Sequence, residues 1–237
     1  MSGSTPAMTS PIGVNTSAFW ERLWRTSGVQ FIALCVIAYL IYGNQPSVGA
    51  SPDALAAFYH DHHSRILVAA VIFGLAVLYL MWFAAAIRVS LGDAGKDGWG
   101  AAATSSSAAV GALFLLLAAV NAGLAYSIDG LGNQTLLPGL NVLAWAAFVM
   151  SSFVRAMLIM SAAFGFWRAG LISNALFAVG VAAVVLTVLG GATWASGGFW
   201  APDGAYSRFI SPIIGLLWAM VVSWVLSTRT PSARAGW

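Results

Sequence analysis

The sequence predicts an all-α polytopic membrane protein: a bundle of six transmembrane helices with both termini cytoplasmic. Three observations carry this. Of 237 residues, 60% are hydrophobic and 7% charged, against about 25% charged in soluble domains. The few charges leave long uncharged runs between them, and the cations collect in alternate connections. A soluble chain of this makeup would lack a solvated surface.

The elements follow in order. Residues 1–26 form a polar cytoplasmic tail with Glu21, Arg22 and Arg25. A signal peptide would place its apolar core sooner and end at a small-residue cleavage site, so none is expected. The first helix is SGVQFIALCVIAYLIYG, stopped by Gly43-Asn44-Gln45-Pro46. The second, ILVAAVIFGLAVLYLMWFAAAI, lies between Arg65 and Arg88. Its entrance is long. Ser51 suits the N-cap, Pro52 the first helical position and Asp53 the positive helix end. No Gly or Pro follows before Gly74. One unbroken helix from Pro52 to Ile87 is therefore expected, roughly 50 Å long at 1.5 Å per residue. The apolar core is about 30 Å thick, so its first turns project beyond it or lie along the interface. The third helix is AAATSSSAAVGALFLLLAAVNAGLAY, and the fourth is LNVLAWAAFVMSSFVRAMLIMSAAFGFW. The fifth is ISNALFAVGVAAVVLTVLGGATWA, and the sixth is FISPIIGLLWAMVVSWVLST. Residues 27–228 thus form the membrane domain and 229–237 a second cytoplasmic tail.

Orientation follows from Lys and Arg in the short loops. With the termini inside, Arg22, Arg25, Arg88, Lys96, Arg168, Arg229 and Arg234 are inside, and Arg65 and Arg208 outside. Small residues at i, i+4 (Ala119 and Gly123; Ala183, Thr187 and Gly191) would let helix backbones approach closely.

Arg155 is the first candidate site. Between Arg155 and Arg168 only 12 uncharged residues remain, too few to span a bilayer that needs about 20. One helix through both puts Arg155 near the middle, at a cost of roughly 2.5–3.5 kcal/mol on insertion scales. It should face protein or water. Its helical face carries Asn141, Ser151 and Ser152; Thr187 is expected at a similar depth, and Tyr79 within reach. No Asp, Glu or His falls within a spanning run, so the five guanidinium donors need other acceptors. A bound anion supplies them best; hydroxyls and helix carbonyls are the structural alternative. A third reading ends the helix near Arg155 and lays 156–167 along the interface.

The second candidate is the cluster Tyr59-His60-Asp61-His62-His63, which holds all three histidines of the chain. His60 and His63, an i,i+3 pair, can share one ion on a helix face, with Asp61, Asp129 or Asp203 completing the set. Zn²⁺ or Cu²⁺ fits such donors, and the imidazoles could instead sense external pH. A solvated interfacial turn is the alternative.

Other classes find little support. There is no His-Glu-x-x-His, Gly-x-Ser-x-Gly or phosphate-binding glycine loop, and no residue argues for an enzyme. The single cysteine, Cys35, cannot form an intrachain disulfide. No basic patch with interleaved aromatics points to nucleic acid.

The segment SPDALAAFYHDHHSRILVAAVIFGLAVLYLMWFAAAIRVSL resembles the second helix of an uncharacterised family of small six-helix bacterial membrane proteins, the domain of unknown function 4386-like family. The shared features are a Ser-Pro-acid cap, Ala-Ala-Phe-Tyr, and membrane entry at Ser-Arg-Ile. The resemblance implies the fold and a multi-pass location in the bacterial cytoplasmic (plasma) membrane, and no activity. Three functions remain open. The chain binds or transports a small amphipathic or anionic ligand at Arg155, among membrane lipids. It is a non-catalytic subunit of a larger complex or a homo-oligomer. Or it carries an extracytoplasmic metal or pH site at the histidines.

Overall fold

A computed structural model describes residues 23–130 and 134–228. The outer parts of both tails, with Arg22, Arg229 and Arg234, lie outside the described residues, as does the side chain of Asp129. The described residues form helices and connections and contain no strand.

The helices are α1 (Ser27–Tyr42), α2 (Pro52–Asp61), α3 (His63–Asp93), α4 (Asp97–Ser127), α5 (Leu137–Arg168), α6 (Asn174–Gly190) and α7 (Ser211–Thr228). A π-helical turn, Tyr206–Ile210, leads into α7. Four segments are long and apolar enough to cross a membrane: α3, α4, α5 and Tyr206–Thr228. The apolar α1 and α6 are shorter, at 16 and 17 residues. Ser51 and Ser173 cap α2 and α6 by accepting from the N–H groups of Ala54 and Leu176. Large apolar side chains cover the outside: Leu40, Val71 and Leu217 are 68%, 66% and 62% exposed. Water does not tolerate so extensive an apolar surface; lipid does.

The expected unbroken helix from Pro52 does not form. His62 leaves the helical region, with φ −112° and ψ 12°. Its ring nitrogen lies 3.1 Å from the Phe58 carbonyl oxygen, and the ring stacks on Phe58. The break turns α2 so that Leu55 and Tyr59 bury against Ile66, Leu124 and Leu137. Apolar spacing alone does not reveal this, because neither Gly nor Pro marks the bend.

Near the other candidate, α5 is continuous through Arg155. The helix does not end there. Around it the helices close a ring. α1 packs on α3, α3 on α4, α4 on α5, α5 on α6, α6 on α7, and α7 returns to α1. α2 crosses one end, which we call the α2 end.

Small residues set the close approaches, though not all those expected. Gly123 has open space beside it, and Ala119 is exposed, so that pair faces outward. Ala183 and Thr187 are buried. The tightest seam brings α1 to α7, where a Cβ on Gly28 would strike Ser223 Oγ and the Phe83 ring.

Candidate functional site

The ring encloses a cavity of about 420 Å³, within the roughly 300–1,000 Å³ typical of small-molecule sites. α1, α3, α4, α5 and α7 contribute its walls, for instance through Cys35, Phe83, Phe114, Leu158 and Trp218. The walls are mostly apolar. Among the described residues, no aspartate, glutamate or histidine lines the cavity, yet two arginines do: Arg155 and Arg208.

Arg155 is 8% exposed. Its Nη2 donates to Ser152 Oγ at 2.6 Å, one helical turn back. Its Cζ lies 5.2 Å from the Phe148 ring centroid, a cation–π distance. Its Nε is buried with no acceptor. Trp218, also on the cavity wall, has an indole N–H in the same state. Buried donors are normally paired, and each exception needs an explanation. Among the described residues, five buried side-chain atoms lack a partner: Gln30 Oε1, the Ser211 and Ser223 hydroxyls, Arg155 Nε and Trp218 Nε1. Only the last two belong to cavity-lining residues, and both are N–H donors whose missing partner is an acceptor.

Arg208 marks the α2 end of the cavity. The π turn that carries it immediately precedes Ser211 and Pro212, and Pro212 has no backbone N–H to continue an ordinary ladder. Its Nη2 donates to the Gln45 carbonyl at 3.1 Å, and its Cζ lies 5.2 Å from the Trp145 ring centroid. Trp145 meets Phe148 edge-on at 6.2 Å. The two guanidiniums therefore flank a pair of aromatic rings on α5.

The segment between α1 and α2 roofs this end, and Gly43, Asn44 and Gln45 line the cavity. Its carbonyls are held from several directions. Trp145 Nε1 donates to Pro46 O at 2.9 Å and Asn141 Nδ2 to Ser47 O at 3.0 Å, while at the end of α1 just before it Arg65 Nε donates to Ile41 O at 3.0 Å. The Val48 N–H donates to Asp203 Oδ2 at 3.0 Å. Trp145→Phe keeps the ring under Arg208 and removes one roof bond, of about 1 kcal/mol. Amide hydrogen exchange across 43–50 should quicken while exchange in α5 stays unchanged.

Asn121 locks the neighbouring wall. Its Oδ1 accepts from the Tyr42 and Tyr59 hydroxyls at 2.8 and 2.9 Å, and its Nδ2 donates to Leu117 O. Burial pushes the Tyr59 phenol up to about 12, which keeps it a donor. Sequence reasoning missed Asn121 and Arg208 as cavity residues. A lone amide within an apolar run was the signal for Asn121. Arg208 gave none, because its position after a loop reads as solvated.

The other expected ligand residues are placed as follows. Ser152 reaches Arg155. The Ser151 and Thr187 hydroxyls donate to the Phe148 and Ala183 carbonyls within their own helices. Tyr79 packs edge-on against Trp82. None of Ser151, Thr187 and Tyr79 lies on the cavity wall.

The histidines lie outside the ring. His60 Nδ1 is 3.3 Å from Asp61 Oδ1, with both side chains 67% exposed. His62 sits at the helix break, and His63 begins α3. Among the described residues, no group of three His, Cys, Asp or Glu side chains is placed to hold one metal ion.

No protein-family model matches the chain, and neither the curated proteins nor the solved structures hold a significant match to it.

Proposed function

We propose that this protein binds or moves a small amphipathic or anionic molecule whose acidic group pairs with Arg155. We propose further that it crosses a bacterial cytoplasmic membrane six times, with the α2 end outside. At 16 and 17 residues, α1 falls just below and α6 at the lower bound of about 17 for spanning helices, and both are apolar. Arg88, Lys96 and Arg168 on one side, against Arg65 and Arg208 on the other, support the orientation. The kinship suggested by Ser51–Leu91 carries no activity, so the functional reading rests on the cavity.

One observation carries it: a buried arginine with an unpaired N–H on the wall of a cavity that, among the described residues, has no acidic side chain. A cation in an apolar site is costly unless a counter-charge joins it. A carboxylate or phosphate would accept from the fork of the guanidinium, as such groups do elsewhere.

Native mass spectrometry tests this on protein extracted in mild detergent, comparing wild type with Arg155→Gln. An added mass in wild type that is lost in the variant is the expected result. Bare protein in both, or the same mass on both, counts against a ligand at Arg155.

A further inference from the structure

The α1–α7 seam is tight at one end and splayed at the other. Near the start of α1, Gly28 lies directly against Ser223 and Phe83. Two to three turns further, the side chains separate. Val36 and Tyr39 on α1 line the cavity and are also 43% and 45% exposed. Phe209 and Ile213, across the seam, do the same at 42% and 51%. Gly215 lines the cavity too, and nothing stands within 4 Å of where its side chain would begin. Four such large apolar residues, facing one another across one seam, mark an opening there; the exposed Asn44 of the roof borders it at the α2 end.

This opening faces sideways. The end of the cavity is roofed by the 43–50 segment, whose carbonyls are clamped by Trp145, Asn141 and Arg208. The flanks of the opening are apolar, as a lipid-facing doorway requires and a water-facing one does not. A freely soluble anion has no reason to cross such a doorway, because it would lose its hydration among apolar side chains. An anion carried on an apolar chain starts in the lipid, with its body already out of water.

Resting on the Arg155 reading, we infer that the ligand is an acidic amphiphile, an oxyanion on an apolar chain, which passes from the lipid through the α1–α7 seam and sets its acid against Arg155. The apolar walls take the chain. The shared chemistry covers a carboxylate, as on a free fatty acid, and a phosphate, as on a lipid headgroup. Arg208 stands on the same cavity, nearer the roof, and raises the positive potential there.

The test uses the full chain in a phosphorus-free detergent, titrated with dodecanoate, dodecyl phosphate, dodecanol, acetate and inorganic phosphate. At least one dodecyl acid should bind wild type and bind Arg155→Gln roughly ten- to a hundredfold more weakly; the tighter of the two names the head. Arg155→Lys, which keeps the charge, should retain part of the binding and guards against a folding defect in the glutamine variant. Dodecanol and the two soluble anions should bind far more weakly. If acetate or inorganic phosphate binds as tightly as its dodecyl counterpart, and needs Arg155, the amphiphile is overturned while the anion reading stands. If no probe binds wild type, the amphiphile is overturned, and the native mass of extracted protein then judges the Arg155 reading separately. Gly215→Trp plugs the seam at a place with room for a side chain. It should slow ligand exchange with an unchanged thermal midpoint, and an unchanged exchange rate overturns the lateral route.

Discussion

Arg155→Gln should abolish ligand retention while leaving the ligand-free protein about as stable as wild type. The sign follows from opposing effects. A cation near the middle of a spanning helix costs roughly 2.5–3.5 kcal/mol, and glutamine removes that cost. Against this stand the charge-assisted bond to Ser152, about 1.5–3 kcal/mol, and the contact over Phe148, about 0.5–2 kcal/mol. Glutamine can still bond Ser152, so only part of the former is lost. The buried Nε bonds to nothing, so its removal frees no partner. We expect the thermal midpoint without ligand to stay within about 1 kcal/mol equivalent of wild type, or to rise. An arginine present only to hold the fold behaves differently: removing one partner of a satisfied buried charge costs about 3–5 kcal/mol. A sharp fall in the midpoint would favour that structural role.

The second large effect is expected at the closed end of the α1–α7 seam. Gly28→Leu should destabilise the protein by about 1–3 kcal/mol, the usual cost of overpacking. A Cβ there overlaps Ser223 and comes within 2.7 Å of the Phe83 ring. Both belong to helices locked into the ring, so neither can retreat without repacking. Gly74→Leu is the control. It lies on α3 with nothing within 4 Å of its would-be side chain, and surface substitutions of this kind stay within about 0.5 kcal/mol. Equal thermal midpoints for the two variants would show that the seam is looser than the geometry implies.

Much of this architecture could be read from the sequence, because charge is so scarce that the Lys, Arg and Asp residues, Arg155 apart, fall between the apolar runs and delimit them. The helix containing Arg155 was legible from the short apolar remainder before Arg168. That Arg155 points inward was legible from the cost of facing lipid. The bend at His62 was not, since it goes with an imidazole that stacks on Phe58 and shares the Phe58 carbonyl with its own backbone N–H, and with Tyr59 finding Asn121. The cavity was not legible either. Periodicity is weak in helices that are apolar all round, so the faces of α1 and α7 that meet, and the faces that part, are set by contacts such as Gly28 on Ser223. Arg208 illustrates the same limit. Sequence position puts it in a loop, whereas the π turn before Pro212 brings it over Trp145 and onto the cavity.

The central claim is that an oxyanion sits on the Arg155 guanidinium. The most direct measurement is the phosphorus–nitrogen dipolar coupling, in the solid state, between dodecyl phosphate and isotope-labelled arginine side chains, with the protein held in a phosphorus-free detergent. A coupling consistent with direct hydrogen bonding, present in wild type and absent in Arg155→Gln, is the result this account predicts. A coupling that survives the substitution unchanged, or none in wild type at saturating probe, would contradict it.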